Sequence, residues 1–351
     1  MIEKNNSPDR IPSLDGLRAV SIGLVLFAHL CGTANFPVGH EVFNTGNLGV
    51  RVFFIISGFL ITGILLREIE KTGTVNLSKF YYRRTLRIFP AYYFFLGVVG
   101  ILALGGVLKL PFGEWLSAVF YISNYAPISN WEIGHTWSLA VEEQFYLLMP
   151  GLLFLGKRRA LFILCLVVLL APFVRLLTFT FFPDPDLRWV GFGFQANADS
   201  LATGCLLAFL RQELWRNTFY QKFLQSKIFV VIPVLAVLLN YFSDHPKIYY
   251  FVCITLINFC VVLCIDWAVR FPVGSVGKIL NARPLVFVGM LSYSIYLWQQ
   301  LFLNRQSPHL INSFPLNLLL MAFCAIFSYY LIEKPALKFR ISLEAVWKLR
   351  N

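Results

Sequence analysis

The chain has 351 residues, of which 58% are hydrophobic and only 14% charged, with a formal net charge of +12. A soluble domain carries nearer a quarter charged residues, so this composition excludes an ordinary water-soluble globule and points to the bilayer. The positive charge does not argue for a nucleic-acid partner, because the Lys and Arg residues cluster in short connections between apolar runs, as the positive-inside rule describes.

Runs long enough to cross about 30 Å of hydrocarbon fall at roughly 14–32, 47–66, 88–108, 136–156, 160–182, 193–212, 228–243, 249–270, 284–303 and 315–333. The expected fold class is all-α, a polytopic integral membrane protein of about ten transmembrane helices in one bundle with an internal cavity. A single domain over 1–351 is expected, with no fused extramembrane domain and no cleavable signal. Segment 113–124, GEWLSAVFYISN, reads as an interfacial or half-spanning helix.

The first run, LDGLRAVSIGLVLFAHLCG, contains Arg18 and His29 eleven positions apart, with apolar and small residues between them. Ionisable groups at bilayer depth are costly and are read as functional. Eleven helical steps return to within about 20° and rise roughly 16 Å, so the two side chains share one face at different depths. They can line one path across the membrane.

Connections alternate in charge along the chain. Arg67, Lys71, Lys79, Arg83, Arg84 and Arg87 follow the second run, Lys157, Arg158 and Arg159 the fourth, Arg211, Arg216, Lys222 and Lys227 the sixth, and Arg270, Lys278 and Arg283 the eighth. Lys334, Lys338, Arg340, Lys348 and Arg350 at the end match Lys4 and Arg10 at the start, whereas 183–192 sets Asp184 and Asp186 against Arg188. Both termini are therefore expected in the cytoplasm.

This topology assigns depth to the polar residues. Arg18 falls near the cytoplasmic side and His29 near the outer side; Arg51 lies at the outer end of the second run and Ser57 near its middle. His135, Trp137 and Ser138 open the fourth run from outside, with Glu142 and Glu143 about two turns deeper. Asp199 and the group Ser292, Tyr293, Tyr296, Trp298 and Gln299 lie in outer halves of their runs. A polar cavity open to the outer side accommodates these groups. On the cytoplasmic side, Arg84 and Arg87 are three apart in FYYRRTLRIFP, so both guanidinium forks share a face suited to phosphate. Plainer readings stand beside these: head-group contacts for the arginines, an ion pair of Arg51 with Glu142 or Glu143, helix packing for Ser57, and interfacial anchoring for Trp115, Trp131 and Trp189. The seven cysteines lie within apolar segments and suggest neither disulfides nor a metal site.

The succession IPSLDGLRAVSIGLVLFAH, NLGVRVFFIISGFLIT, FYYRRTLRIFPAYY, GHTWSLAVEEQFYLLMP, SYSIYLW and YYLIEKP resembles the ordered signatures of membrane-bound acyltransferase family 3, which contains O-antigen and other surface-polysaccharide O-acetyltransferases. The resemblance implies an Arg-x10-His element at Arg18 and His29, an Arg-x-x-Arg element associated with acyl-CoA at Arg84 and Arg87, and a Trp-Ser-Leu-x-x-Glu element at Trp137, Ser138 and Glu142. Two positions depart from it: Gln299 where relatives often carry His, and Asn197 where they often carry Arg.

The implied activity is transfer of an acyl group, most simply acetyl from cytosolic acetyl-CoA, to a hydroxyl of a surface or periplasmic carbohydrate in a bacterial cytoplasmic membrane. His29 is then the general base, with Glu142 orienting it and Arg51 or Tyr296 donating to the oxyanion. Arg84, Arg87, Arg18 and Ser57 would hold the donor. Trp137, Ser138, Glu143, Asp199 and Gln299 would face the acceptor. An acetyl-His29 intermediate is the covalent rival. A proton-coupled transporter or flippase of an anionic substrate is the alternative function, but the polar punctuation before residue 150 has no second copy after it.

Overall fold

The computed structural model describes residues 11–350 except 40–44, 127–128, 183–187 and 273. Lys4, Arg10, Asp184 and Asp186 therefore lie outside the described residues. Within them the chain is helical, without strands. In order come α1 (Pro12–Leu30), α2 (Gly46–Thr72), α3 (Leu77–Leu104), the short α4 (Phe112–Val119), α5 (Thr136–Phe154), α6 (Lys157–Phe181), α7 (Phe194–Arg216), α8 (Val231–Asn240), α9 (Ile254–Arg270), α10 (Arg283–Phe302), α11 (Leu316–Ser328) and α12 (Lys334–Arg350).

Eight described segments are long and apolar enough to cross a membrane. The protein is thus an all-α polytopic membrane protein. The fourth and sixth expected spans appear as α5 and α7, of 19 and 23 residues, but are not among those eight. Both carry polar residues inward, which lowers their hydropathy without shortening the helix. Segment 113–124 contains only the eight-residue α4, about 12 Å long and too short to span. It leans on α3 through Trp115 Nε1, which donates to the Leu96 carbonyl at 3.0 Å, and through the Tyr92 hydroxyl, which donates to the Ala118 carbonyl at 2.8 Å.

Local chemistry sets several boundaries. Gly73, at φ +79°, ends α2 in the left-handed conformation that L side chains resist. Asn76 then caps α3 by accepting from the Lys79 amide at 2.9 Å. Pro335 has no N–H to return to the Leu331 carbonyl, and the preceding turn, Tyr329–Glu333, runs as a π-helix that joins α11 to α12.

The core is built on close helix crossings. α1 packs along α2 and α10, and α2 along α7. At the α2–α7 crossing Gly58 meets the backbone at Leu201 and Gly204 meets the backbone at Ile55, so a Cβ at either position would collide with a carbonyl. Small residues at such crossings let membrane helices approach and gain packing that lipid cannot replace. Ile101, Leu169, Phe173, Leu319 and Phe323 point outward and are exposed, as a surface meeting hydrocarbon requires.

Candidate active site

The last turn of α1, the start of α2, the turn before α5, the end of α8 and the end of α10 enclose a cavity of about 400 Å³. His29, Asn47, Trp131, His135, Trp137, Tyr296 and Arg305 contribute to its wall. His29 sits one residue from the end of α1, its ring edge-on to Trp131 with centroids 5.1 Å apart. Its Nδ1 is 2.5 Å from Gln299 Oε1. An amide oxygen only accepts, so Nδ1 carries the proton and Nε2 keeps the basic lone pair.

Gln299 is fully buried and turned toward His29, where the sequence reading expected it to face the acceptor. The next residue repeats the arrangement: Gln300 Oε1 lies 2.9 Å from His135 Nδ1 and accepts from the His135 backbone amide at 2.8 Å. Successive residues of α10 thus hold two imidazoles on the cavity wall.

Glu142 does not orient His29. It lies seven residues beyond His135 on α5, so about 10 Å deeper, and accepts from Ser57 Oγ at 2.8 Å and from the Tyr146 hydroxyl at 3.3 Å. Its charge acts with Arg18 and Arg84 instead. Arg84 stacks over the Tyr146 ring at 5.3 Å, and Arg18, Arg84 and Arg87 lie within electrostatic reach of one another. Glu333, bonded to Ser294 Oγ at 3.0 Å on the π-turn, completes this cluster beside Arg18 and Arg87. Arg83, one residue before Arg84, faces away and makes a bidentate ion pair with Glu344 of α12 at 2.7 and 2.8 Å.

Other expected residues separate into wall and scaffold. Trp137 lines the cavity and stacks on Phe192 with centroids 4.7 Å apart. Tyr296 lines it too, but its hydroxyl is engaged 2.6 Å from Ser138 Oγ and 3.3 Å from the His135 carbonyl. Ser138 is buried behind it rather than open to an acceptor. Glu143 is directed away from the cavity, into the electrostatic company of Arg84, Tyr92, Tyr93, Tyr121 and Tyr293.

Asp199 is wholly buried, and its Oδ2 accepts from Arg175 at 2.9 Å and Asn258 at 3.0 Å. It is a partner for Arg175, not an acceptor contact. Arg51 pairs with neither glutamate and donates to Ser200 Oγ at 3.1 Å. It borders a side recess and is absent from the wall of the main cavity around His29. Among the described residues no His, Cys, Asp or Glu cluster suits a metal ion.

Sequence reasoning missed Gln300 and Arg305 and took Trp131 for an anchor. Arg305 stacks over Trp131 at 5.3 Å and acts electrostatically on His29. Its position just past the ninth apolar run gave no signal. The pairing of two histidines with two adjacent glutamines is also invisible without the fold.

His29 stands on the cavity wall, and Arg18, eleven residues earlier on the same helix, lies among the arginines of α3; residues 11–333 match the family described as acyltransferase domain. The chain belongs to this acyltransferase family. It is 33% identical over 372 aligned positions to the O-acetyltransferase OatA of Staphylococcus aureus strain NCTC 8325, covering 96% of this chain and 59% of that protein. It is 32% identical to a putative O-acetyltransferase of Staphylococcus aureus strain COL, covering 82% of this chain and 50% of that one. The chain thus spans between half and three-fifths of the length of these relatives. No solved structure matches it.

Proposed function

We propose that this acyltransferase-family protein is an O-acetyltransferase that carries acetyl from cytosolic acetyl-CoA to a hydroxyl of a carbohydrate on the outer side of a bacterial cytoplasmic membrane, with both its termini in the cytoplasm. The observation that carries the reading is α1 itself: one face of it joins His29, on the wall of the cavity, to Arg18, in the cluster with Arg84 and Arg87. A separation of roughly 16 Å along the helix suits an extended pantetheine arm. The guanidinium forks suit the donor's phosphates.

In this mechanism His29 Nε2 removes the acceptor hydroxyl proton as that oxygen attacks the thioester carbon. The carbon–sulfur bond breaks, and the coenzyme A thiolate leaves with the proton returned by the imidazolium. Gln299 takes the orienting place that a carboxylate holds in a triad, with a neutral oxygen. Glu142, with Ser57 and Tyr146, acts as counter-ion to Arg18 and Arg84, keeping the donor site charge-balanced when empty. Trp137 and Tyr296 form the acceptor wall.

The test is transfer of labelled acetyl from acetyl-CoA to surface-glycan acceptors by the reconstituted protein. His29→Ala is expected to bind acetyl-CoA without transferring, and Arg84→Ala/Arg87→Ala to lose binding. Normal transfer by His29→Ala refutes the mechanism.

A further inference from the structure

We infer that Arg51 marks a carboxylate subsite, so that the acceptor presents an acidic sugar; this rests on reading the main cavity as the acceptor chamber. A recess of about 30 Å³ is lined by Asn47, Arg51, Trp137, Asn197, Tyr249 and Tyr250. Asn47, Val50 and Trp137 border both it and the main cavity, so the two adjoin.

The charge of this recess is not balanced. Arg51 is only 5% exposed, and its Nε is buried without a partner. Its Nη1 donates to a neutral hydroxyl, Ser200 Oγ, which in turn donates to Asn258 Oδ1 at 3.0 Å. Asn258 reaches Asp199 Oδ2, but that oxygen already receives Arg175 at 2.9 Å. Arg51 thus reaches Asp199 only through two neutral side chains, and the ion pair of that carboxylate is with Arg175. Arg51 has no ion pair among the described residues, and an unpaired buried charge is expensive.

The recess offers what a carboxylate needs. A guanidinium donates through a planar fork matched to two carboxylate oxygens. Its volume suits a planar carboxylate better than a phosphate, and could otherwise hold only a water or two. Trp137, shared with the main cavity, can stack on the face of a sugar ring while the ring's carboxylate enters the recess. A neutral sugar leaves Arg51 unpaired.

The experiment is calorimetric titration of the detergent-solubilised protein with glucuronate, glucuronamide, glucose and glucose 6-phosphate. Glucuronate is expected to bind at least tenfold more tightly than the neutral pair. Arg51→Gln should erase that difference and Arg51→Lys should keep part of it; the amide comparison on wild type needs no variant to fold. Equal binding of glucuronate and glucuronamide overturns the inference, as does tighter binding of glucose 6-phosphate, which would assign the anion as phosphate. Acetyl transfer assayed beside it separates the readings: transfer without carboxylate preference sinks only the subsite, whereas carboxylate binding without transfer to any glycan sinks only the proposed activity.

Discussion

Gln299 accepts the Nδ1 proton of His29 across 270 positions of sequence, tying the end of α1 to the end of α10. That bond selects the tautomer whose Nε2 is basic. Replacing Gln299 by Leu removes the acceptor and is expected to lower kcat by about 10²–10³, with the KM for acetyl-CoA little changed, since wrong-tautomer variants of triads lose up to about 10⁴. Gln299→Glu, which puts a carboxylate behind the ring, should move the acidic limb of the pH–rate profile upward, because an adjacent negative charge favours the imidazolium. Measured pH profiles of both variants check this. An unmoved acidic limb in Gln299→Glu would separate Gln299 from the base.

Glu142 lies with the arginines, so its neutralisation has a different signature. Glu142→Gln retains an acceptor for Ser57 and Tyr146. It should change kcat by less than about tenfold while altering the affinity for acetyl-CoA, whereas an orienting carboxylate would cost about 10⁴. Steady-state kinetics with the donor varied distinguish the two.

The bilayer class, the helix positions and the Arg18–His29 face were legible because they rest on composition and on a 3.6-residue period within one element. The place of Glu142 about two turns into its helix was legible too. Its partners were not, since position along a helix does not give the direction a side chain faces among the neighbouring helices. The same gap hid Arg175: it lies inside an apolar run with no periodic link to Asp199, so Asp199 looked free for an acceptor. Gln299 was misread for a related reason, its histidine being one long-range contact away.

Arg175 and Asp199 are both fully buried. Removing one partner strands the other, and Arg175→Met is expected to cost about 3–5 kcal/mol. The double variant Arg175→Met/Asp199→Leu should recover much of that loss, because the uncompensated charge is gone. Thermal unfolding of solubilised protein reads both, and equal loss in single and double variants would refute the pairing energetics.

At the α2–α7 crossing, Gly58→Ala places a methyl against the Leu201 carbonyl, a backbone atom that cannot rotate aside. Overpacking of this kind costs about 1–3 kcal/mol. Gly97→Ala, in α3 with open space around the added carbon, should be neutral or slightly stabilising in the same assay. Equal stability of the two variants would mean the crossing can spread freely.

Arg84 and Arg87 are expected to act on the donor and not on the acceptor. Each charge-assisted bond to phosphate contributes about 1.5–3 kcal/mol, so either Ala variant should raise the KM for acetyl-CoA by roughly 10–150-fold. Arg84 also stacks on Tyr146, so Arg84→Lys, which keeps charge but not the planar fork, should recover only part of the loss. The measurement is the KM for acetyl-CoA at low and high salt, with acetylpantetheine as a donor lacking the nucleotide phosphates. If the arginines hold those phosphates, the variants and wild type should use acetylpantetheine alike. An equal defect with both donors would place the two residues in helix packing.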